Sequence, residues 1–285
     1  MRLVTYLTQS DSAGPGVLAG ELVFNLQPAG FADTLGVIAG GVEARAAIDA
    51  YLRSLPASAG EPIDRVTLLA PLPRPPKFIC VGLNYLDHAM ESKLEIPGVP
   101  TIFSKFSYCI IGPGAPIVLP RNSTKPDYEA ELAFVIGTGG RRIAADEWRR
   151  HVYGYLCVND VSARDFQMAT SQWLMGKTFD TFAPTGPWLT TADEIEDPHQ
   201  LDIRMEINGE LLQSSNTRNL IFKIPQLIEY ISSVVALEPG DIISTGTPAG
   251  VGCARQPPRW LKPGDEAVVT VHGLGSLSNP VTAEA

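Results

Sequence analysis

Three acidic residues lie at the ends of apolar segments, where their carboxylates could take part in chemistry. Glu129 and Glu131 open the run of residues 129–136, EAELAFVI. Side chains two apart in a strand project from the same face, so these carboxylates would point the same way, roughly 7 Å apart. Asp160 comes soon after a second apolar run, residues 152–158, VYGYLCV. The glutamate pair alone also fits a solvated edge strand, but a third carboxylate favours a hard cation with oxygen ligands.

The ligand types narrow the choice of metal. Three carboxylates without a histidine ligand suit Mg²⁺, Mn²⁺ or Ca²⁺ better than zinc or copper. The four cysteines form no CxxC pair, and the four histidines lie far apart in the sequence, so a Cys/His zinc motif is unsupported. Three protein ligands would leave coordination positions open for water and substrate.

A histidine and a glutamate are spaced so that their side chains can interact. His88 and Glu91 follow the apolar run of residues 78–82, and residues three apart on a helical turn face each other. Glu91 could then fix the imidazole tautomer and raise its basicity. A lone pair of this kind is more often a surface contact than a catalytic dyad, so the spacing leaves both interpretations open.

Two further polar features have a structural and a functional interpretation. Lys177 lies in an apolar-flanked segment and could simply extend its ammonium group into solvent. The loop Gly246–Gly252 lacks both the Lys-Ser/Thr of a P-loop and GxGxxG spacing, which argues against nucleotide binding. We interpret it as a tight turn that offers backbone N–H groups and the Thr247 hydroxyl to a carboxylate.

The elements that must position these residues fall into two predicted regions, residues 1–70 and 71–285. The first is expected to be a small N-terminal domain with short strands and an amphipathic helix over Glu43–Leu55. The proline-dense connector at residues 70–76, APLPRPP, can be neither helix nor central strand. Short β-type runs bounded by Gly, Pro, Asn or Asp then recur. These predicted strands are residues 78–82, 117–119, 131–136, 152–158, 203–207, 241–245 and 266–272.

Helices are expected to be few. One is predicted over Ile224–Val235, and a shorter one follows Ser162, because SARD at 162–165 has the form of a capping box. The segment Ser92–Thr101 has the composition of a mobile lid. Trp173 is a possible pocket wall, although we expect it to pack in the core.

Charge and hydropathy exclude several classes of protein. Lys plus Arg number 22 against 31 Asp plus Glu, giving a net charge of −9, which argues against binding a nucleic-acid backbone. No apolar stretch of about 18 residues could span a membrane. The first residues lack the apolar core of a signal peptide. We therefore expect a cytoplasmic protein that binds neither nucleic acid nor membranes.

Several of these motifs together resemble the fumarylacetoacetate hydrolase family. The resemblance extends from about Lys77 to Pro280, through separate motifs in the family's order. They are VGLNY at 81–85 with His88 and Glu91, IGPG at 111–114, DYEAELAFVIG at 127–137, NDVSARDFQ at 159–167, GKTFD at 176–180 and TGTPAGVG at 245–252. Any one motif would be weak evidence, but their combination and order are specific.

The resemblance implies a β-rich α+β fold, a mixed β-sandwich roll with a small N-terminal domain, and usually a homodimer. It implies Mg²⁺ or Mn²⁺ at Glu129, Glu131 and Asp160. It also places Lys177 beside the metal, where its charge can hold a substrate carboxylate and stabilise an enolate.

The resemblance also implies roles for the remaining site residues. His88 and Glu91 would activate a water molecule. Arg164 and Gln167, three apart just after Asp160, would face the same cleft and bind polar groups of the substrate.

Three functions are compatible with these residues. The first, which the His88–Glu91 pair favours, is hydrolysis of a C–C bond in an acylpyruvate or related 1,3-diketo acid. The second is decarboxylation or tautomerisation of a 2-oxo dicarboxylate such as oxaloacetate, which needs no attacking water. The third, a non-catalytic β module with structural Ca²⁺, leaves His88 and Lys177 without a purpose.

Overall fold

The computed structural model describes residues 1–7 and 12–285. Its strands are β1 (Arg2–Leu7), β2 (Ala13–Ala19), β3 (Leu22–Asn25), β4 (Glu61–Pro62), β5 (Leu68–Leu69), β6 (Phe78–Gly82), β7 (Thr101–Ser104), β8 (Ile110–Ile111), β9 (Ile117–Leu119), β10 (Pro126–Asp127), β11 (Ala130–Ile136), β12 (Val152–Asn159), β13 (Ser162–Ala163), β14 (Ala183–Thr191), β15 (Asp202–Ile207), β16 (Glu210–Asn216), β17 (Ile242–Ser244), β18 (Glu266–Val271) and β19 (Gly275–Ala283). Its α-helices are α1 (Thr34–Ala39), α2 (Gly41–Ser54), α3 (Leu86–Ser92), α4 (Arg164–Gln167), α5 (Leu174–Lys177) and α6 (Ile224–Val234). The β-rich α+β prediction is confirmed.

Within residues 1–7 and 12–285, the strands form two mixed sheets and a small antiparallel pair, β10-β13. The larger has the order β4-β3-β2-β1-β14-β12-β11-β17-β6-β7, with β5 beside β1 and β8 beside β14. Most of its pairs are antiparallel, but β17 runs parallel to β6. The second sheet has the order β16-β15-β18-β19-β9, with β9 parallel to β19. The predicted mixed character of the sheets is therefore confirmed.

The central strand β11 is buried on both faces, and its alternation decides where the site lies. Leu132 and Phe134 pack in the core between the two sheets, together with Ile203 and Val269 of the second sheet. Val135, on the opposite face, belongs to the core that covers the other side of the large sheet. Odd-numbered side chains of this segment therefore point away from the second sheet.

Strands from both predicted regions share the large sheet. In β1, Arg2 pairs with Thr190 of β14 on one side and with Leu18 of β2 on the other. The division at residue 70 stays a prediction. The proline-dense connector at residues 70–76 forms neither helix nor strand, as expected.

One local prediction is wrong. Ser162 does not cap a helix, because Ser162–Ala163 forms strand β13, which pairs with Pro126–Asp127. The short helix α4 starts at Arg164 without a side-chain cap. The Ser162 hydroxyl instead donates to the carbonyl oxygen of Asp160, 2.9 Å away, and so stabilises the turn after β12.

Within residues 1–7 and 12–285, none of the helices is long and apolar enough to cross a membrane.

Candidate metal centre and active site

The three predicted carboxylates meet in the interior. Glu129, Glu131 and Asp160 are each at least nine-tenths buried, and oxygen atoms of the three lie within 4.8 Å of one another. Glu129 and Glu131 share one face of the β11 segment. The antiparallel pairing of Ala130 with Asn159 brings the end of β12 alongside, and the Asp160 amide donates to the Glu129 carbonyl at 2.9 Å.

Positively charged side chains surround this cluster. Lys177 Nζ lies 2.6 Å from Oε2 of Glu129 and 2.8 Å from Oδ2 of Asp160. Lys105 Nζ lies 2.5 Å from Oδ1 of Asp160. Arg164 forms an ion pair with Oε1 of Glu129 at 2.6 Å. The cations keep buried charges paired, as the low dielectric of the interior requires.

The pKa values of the two glutamates are driven in opposite directions. Burial alone would raise the pKa of Glu129, but the Lys177 and Arg164 charges outweigh it and lower that pKa to about 2. Burial, followed by the charges of Asp160 and Glu129, raises the pKa of Glu131 well above its ordinary value. A cation bound beside Glu131 would stabilise its charged form.

Hydrogen bonds hold Glu131 in place. Its Oε2 accepts from the Ser244 hydroxyl at 2.5 Å and from the Gly246 amide at 3.0 Å. The donor set is thus three fixed carboxylates, which is the chemistry that Mg²⁺, Mn²⁺ and Ca²⁺ require. These residues fit a hard divalent cation.

A cavity of about 510 Å³ opens beside the carboxylates. Among the predicted site residues, its walls include His88, Glu129, Glu131, Arg164, Gln167, Lys177 and Thr247. Val81, Leu83, Leu94, Phe103 and Trp173 contribute apolar surface. The predicted residues are therefore brought together around one cavity, with Asp160 and Glu91 directly behind it in contact with Lys177 and His88.

The predicted histidine–glutamate contact is present on α3. His88 Nδ1 lies 3.2 Å from Oε2 of Glu91. Glu91 also accepts from the Gly250 amide, at 2.9 Å to Oε1 and 3.1 Å to Oε2. The glycine-rich loop thus binds a carboxylate of the protein itself and fixes this pair at the cavity rim.

Arg164 is held by protein acceptors on every side. Its Nε donates to Oδ2 of Asp127 at 2.8 Å and its Nη1 to Oε1 of Gln167 at 2.8 Å. Asp127 is itself fixed by the amides of Gly252 at 2.7 Å and Cys253 at 3.0 Å. Arg164 therefore braces Glu129 and Gln167, and its predicted role in substrate binding remains a prediction.

The Thr247 hydroxyl is likewise held by hydrogen bonds to other groups of the protein. Its hydroxyl donates to the Ala130 carbonyl at 2.9 Å and accepts from Nε2 of Gln213 at 2.8 Å. The hydroxyl proton is committed to the backbone, so Thr247 can accept from a ligand but has no free proton for a carboxylate. Its predicted role in substrate binding also remains a prediction.

Sequence reasoning missed two residues around the centre. Lys105 contacts Asp160, and Phe103 lies beneath Lys177, with its ring centre 5.0 Å from Nζ. Trp173, considered above as a possible pocket wall but expected to pack in the core, lines the cavity and meets Phe103 edge-on at 5.5 Å. A lysine inside the aromatic run FSKFSY at 103–108 was the available signal for a buried charge.

The sequence of the larger region matches a known family. The model of the fumarylacetoacetate (FAA) hydrolase C-terminal region covers residues 77–282. The chain belongs to the fumarylacetoacetate hydrolase family. This confirms the resemblance carried by the motifs.

Named relatives of this fumarylacetoacetate hydrolase family protein include enzymes with different reactions. The mitochondrial oxaloacetate tautomerase of Xenopus laevis is 51% identical over 218 residues, 76% of this chain and 68% of that protein. A fumarylacetoacetate hydrolase from Exiguobacterium antarcticum has 35% identity and a TM-score of 0.86, with all of both chains covered. Maleylpyruvate hydrolase from Sphingobium sp. SYK-6, solved with manganese(II) and pyruvate, has 33% identity and a TM-score of 0.85 over the full length of both chains.

The structural likeness confirms the family fold. The manganese(II) ion of the maleylpyruvate hydrolase and the buried acidic cluster of this chain together support a divalent-metal site.

Proposed function

We propose that this protein is a divalent-metal-dependent tautomerase of a 2-oxo dicarboxylate such as oxaloacetate. The observation that carries the proposal is 51% identity, over 76% of the chain, to an oxaloacetate tautomerase. That identity exceeds the 33% shared with the maleylpyruvate hydrolase. We therefore prefer tautomerisation to hydrolysis, the function that the His88–Glu91 pair favoured in the sequence.

Glu129, Glu131 and Asp160 are the residues we assign to the cation. We propose Mg²⁺ or Mn²⁺, because an all-oxygen donor set suits them. Such an ion, when bound, would polarise the 2-oxo group of the substrate and stabilise negative charge on its oxygen.

Lys177 is the side chain we assign to charge stabilisation. Its ammonium lines the cavity and is fixed by contacts of 2.6 Å to Glu129 and 2.8 Å to Asp160. Because the side chain is only 2% exposed, water screens its charge weakly. A preorganised positive charge next to a developing enolate lowers the barrier without reorganisation during the reaction.

His88 is the side chain we assign to proton transfer. A carboxylate can only accept, so the contact with Glu91 keeps the hydrogen on Nδ1 and leaves Nε2 free to act as a base. In the proposed reaction Nε2 removes a proton from C3 of the keto acid, the C–H bond breaks, and its electron pair moves toward the 2-oxo oxygen. The protonated His88, whose proton exchanges with solvent, then gives a proton to that oxygen, which yields the enol, restores the neutral imidazole and consumes no water.

Hydrolysis of an acylpyruvate is the second candidate function. It is favoured by the same His88–Glu91 contact, since Nε2 could instead take a proton from water at the cavity rim. The apolar walls formed by Leu94 and Trp173 would also suit an apolar acyl group.

A panel of oxaloacetate and several acylpyruvates, followed by proton NMR in deuterated water, separates the two functions. Tautomerisation exchanges the C3 hydrogens for deuterium and leaves the carbon skeleton intact, whereas hydrolysis releases pyruvate. We expect the fastest reaction to be keto–enol interconversion of oxaloacetate. The His88→Ala variant should lose roughly two to four orders of magnitude in rate, the usual contribution of a general base. Faster pyruvate release from an acylpyruvate would make hydrolysis the function.

We also propose that the protein is a homodimer whose interface lies after Pro76. Strand β7 forms one edge of the large sheet, and nearby Phe106 and Tyr108 expose 47% and 59% of their surface. Exposed strand edges and apolar patches are typical of association surfaces.

The Xenopus laevis relative is named as mitochondrial, while the cytoplasmic location of this chain remains a prediction.

A further inference from the structure

Lys105 is a buried lysine with no role in the chemistry described above. Its side chain is fully buried, and its ammonium lies 2.5 Å from Oδ1 of Asp160 and 3.1 Å from the carbonyl oxygen of Val161. Unlike Lys177, it is not among the described residues that line the cavity beside the carboxylates. The ammonium is therefore directed at a carboxylate of the metal centre and away from the substrate space.

The backbone fixes the position of Lys105. It directly follows β7, two residues after Phe103, so both side chains lie on the same side of the strand. The Lys105 amide donates to the Phe78 carbonyl at 3.2 Å, which ties this point of the chain to β6. A lysine whose backbone is held in this way loses little further conformational entropy when its ammonium contacts Asp160.

The contact with Lys105 restricts what Asp160 can offer to a cation. Oδ1 is occupied by Lys105, while Oδ2 faces Lys177 at the cavity. Glu131 is restricted in a parallel way, because its Oε2 accepts from Ser244 and Gly246. Both oxygens of Asp160 thus contact a lysine, but only the partner of Oδ2, Lys177, lines the cavity where a cation would bind, whereas Lys105 holds Oδ1 from outside it.

The number of free oxygens matters for metal choice. Ca²⁺ takes more oxygen ligands than Mg²⁺ and often binds both oxygens of one carboxylate, whereas Mg²⁺ demands near-octahedral geometry and usually single oxygens. We propose that Lys105 is a positioning residue that limits Asp160 to one oxygen for a cation and thereby favours Mg²⁺ over Ca²⁺. This inference rests on the proposed metal centre but does not depend on which reaction the centre serves.

The test is the ratio of the dissociation constants of Ca²⁺ and Mg²⁺, measured by isothermal titration calorimetry on the metal-stripped full chain. Both ions carry the same charge, so loss of the Lys105 charge alters both affinities alike and cancels in the ratio. Lys105→Met keeps the aliphatic stem but frees Oδ1. We expect it to shift the ratio toward Ca²⁺ on the order of tenfold. This is the lower end of the loss in metal affinity that follows when a residue hydrogen-bonded to a metal ligand is removed.

Two variants serve as controls. Lys105→Arg retains a donor for Oδ1 and should keep a ratio closer to that of the wild type. Lys77→Met removes a lysine that pairs with Glu238 and with the buried Asp241, the latter at 3.0 Å. It should lower stability without moving the ratio. A shift in this variant equal to that of Lys105→Met would overturn the proposal.

If Lys105→Met is too unstable to strip of metal, thermal unfolding with each ion reports the same preference, because the tighter ligand raises the melting temperature more. A Ca²⁺ effect that grows relative to Mg²⁺ supports the proposal. An unchanged ratio, or an unchanged ranking of melting temperatures, refutes the role of Lys105. Failure of the wild type to bind either ion would instead refute the metal centre itself.

Discussion

At the scale of single residues, the centre balances buried carboxylates against the cations that contact them. Glu129 touches both Lys177 and Arg164, and these charges hold its pKa at about 2 against the opposing effect of burial. Glu131 contacts no cation among the described ion pairs and accepts only from neutral donors. The negative charge of the cluster is thus least neutralised near Glu131, where a bound cation would gain the most electrostatic stabilisation.

Replacing Glu129 with Gln should weaken cation binding while leaving the fold intact. The substitution keeps the side-chain shape but removes a charged ligand. The loss of cation affinity should therefore exceed the roughly 10–100-fold seen when a residue that only hydrogen-bonds a metal ligand is removed. Titration calorimetry with Mn²⁺ measures it. Glu147→Gln, which alters an exposed carboxylate paired with Arg150 at 3.4 Å, is the matched control. Wild-type affinity in Glu129→Gln would remove Glu129 from the centre.

The direction of the glutamate side chains follows from the sequence, because alternation in a strand puts Glu129 and Glu131 on one face. Their burial does not follow from it. Whether a charged strand end is solvated or enclosed depends on Lys105 and Lys177, which come from separate segments. Local patterns cannot report such distant partners.

At the scale of elements, strand β6 and the segment around Trp173 shape the cavity together. A Cβ at Gly82 would lie 2.1 Å from a ring carbon of Trp173, so only glycine permits this packing. Trp173 in turn contacts Phe103, whose ring lies beneath the Lys177 ammonium. Close packing at Gly82 is therefore connected to the position of a charged group in the site.

Gly82→Ala should displace Trp173 and raise the KM for substrate several-fold or more, since an overpacked contact forces neighbouring side chains to move. Steady-state kinetics and tryptophan fluorescence both report the change. Gly36→Ala in α1 is the matched control, because a Cβ there comes no closer than 3.4 Å to its neighbour Asp33, and α1 contributes no residue to the cavity. Unchanged kinetics and fluorescence in Gly82→Ala would show that the wall does not influence the site.

Elements with clear apolar runs were predicted well, and those containing glycine and proline were missed. β6 and β9 have the predicted bounds, and α6 ends at Val234, one residue before the prediction. β14 contains Pro184 and Pro187 and was not among the predicted strands, yet it pairs with both β1 and β12. Tertiary pairing there overrides local propensity, which no single-segment pattern reveals.

At the scale of the whole molecule, assembly and metal dependence are the properties to test. Static light scattering should give twice the chain mass of 30.6 kDa at micromolar concentration. Phe106→Glu places a charge on the exposed surface near β7 and should shift the protein toward monomer. Val42→Glu, on a side chain 81% exposed within residues 1–70, should leave the dimer unchanged. A wild-type mass of one chain would contradict the proposed dimer.

The most direct test of the central claim is the rate of oxaloacetate keto–enol interconversion with and without metal. The wild type is stripped with EDTA, its metal content is verified by elemental analysis, and Mg²⁺ or Mn²⁺ is then restored. Because Glu129, Glu131 and Asp160 are assigned to the cation, we predict that the stripped protein loses activity and that either ion restores it. Full activity in protein without detectable metal would contradict the account.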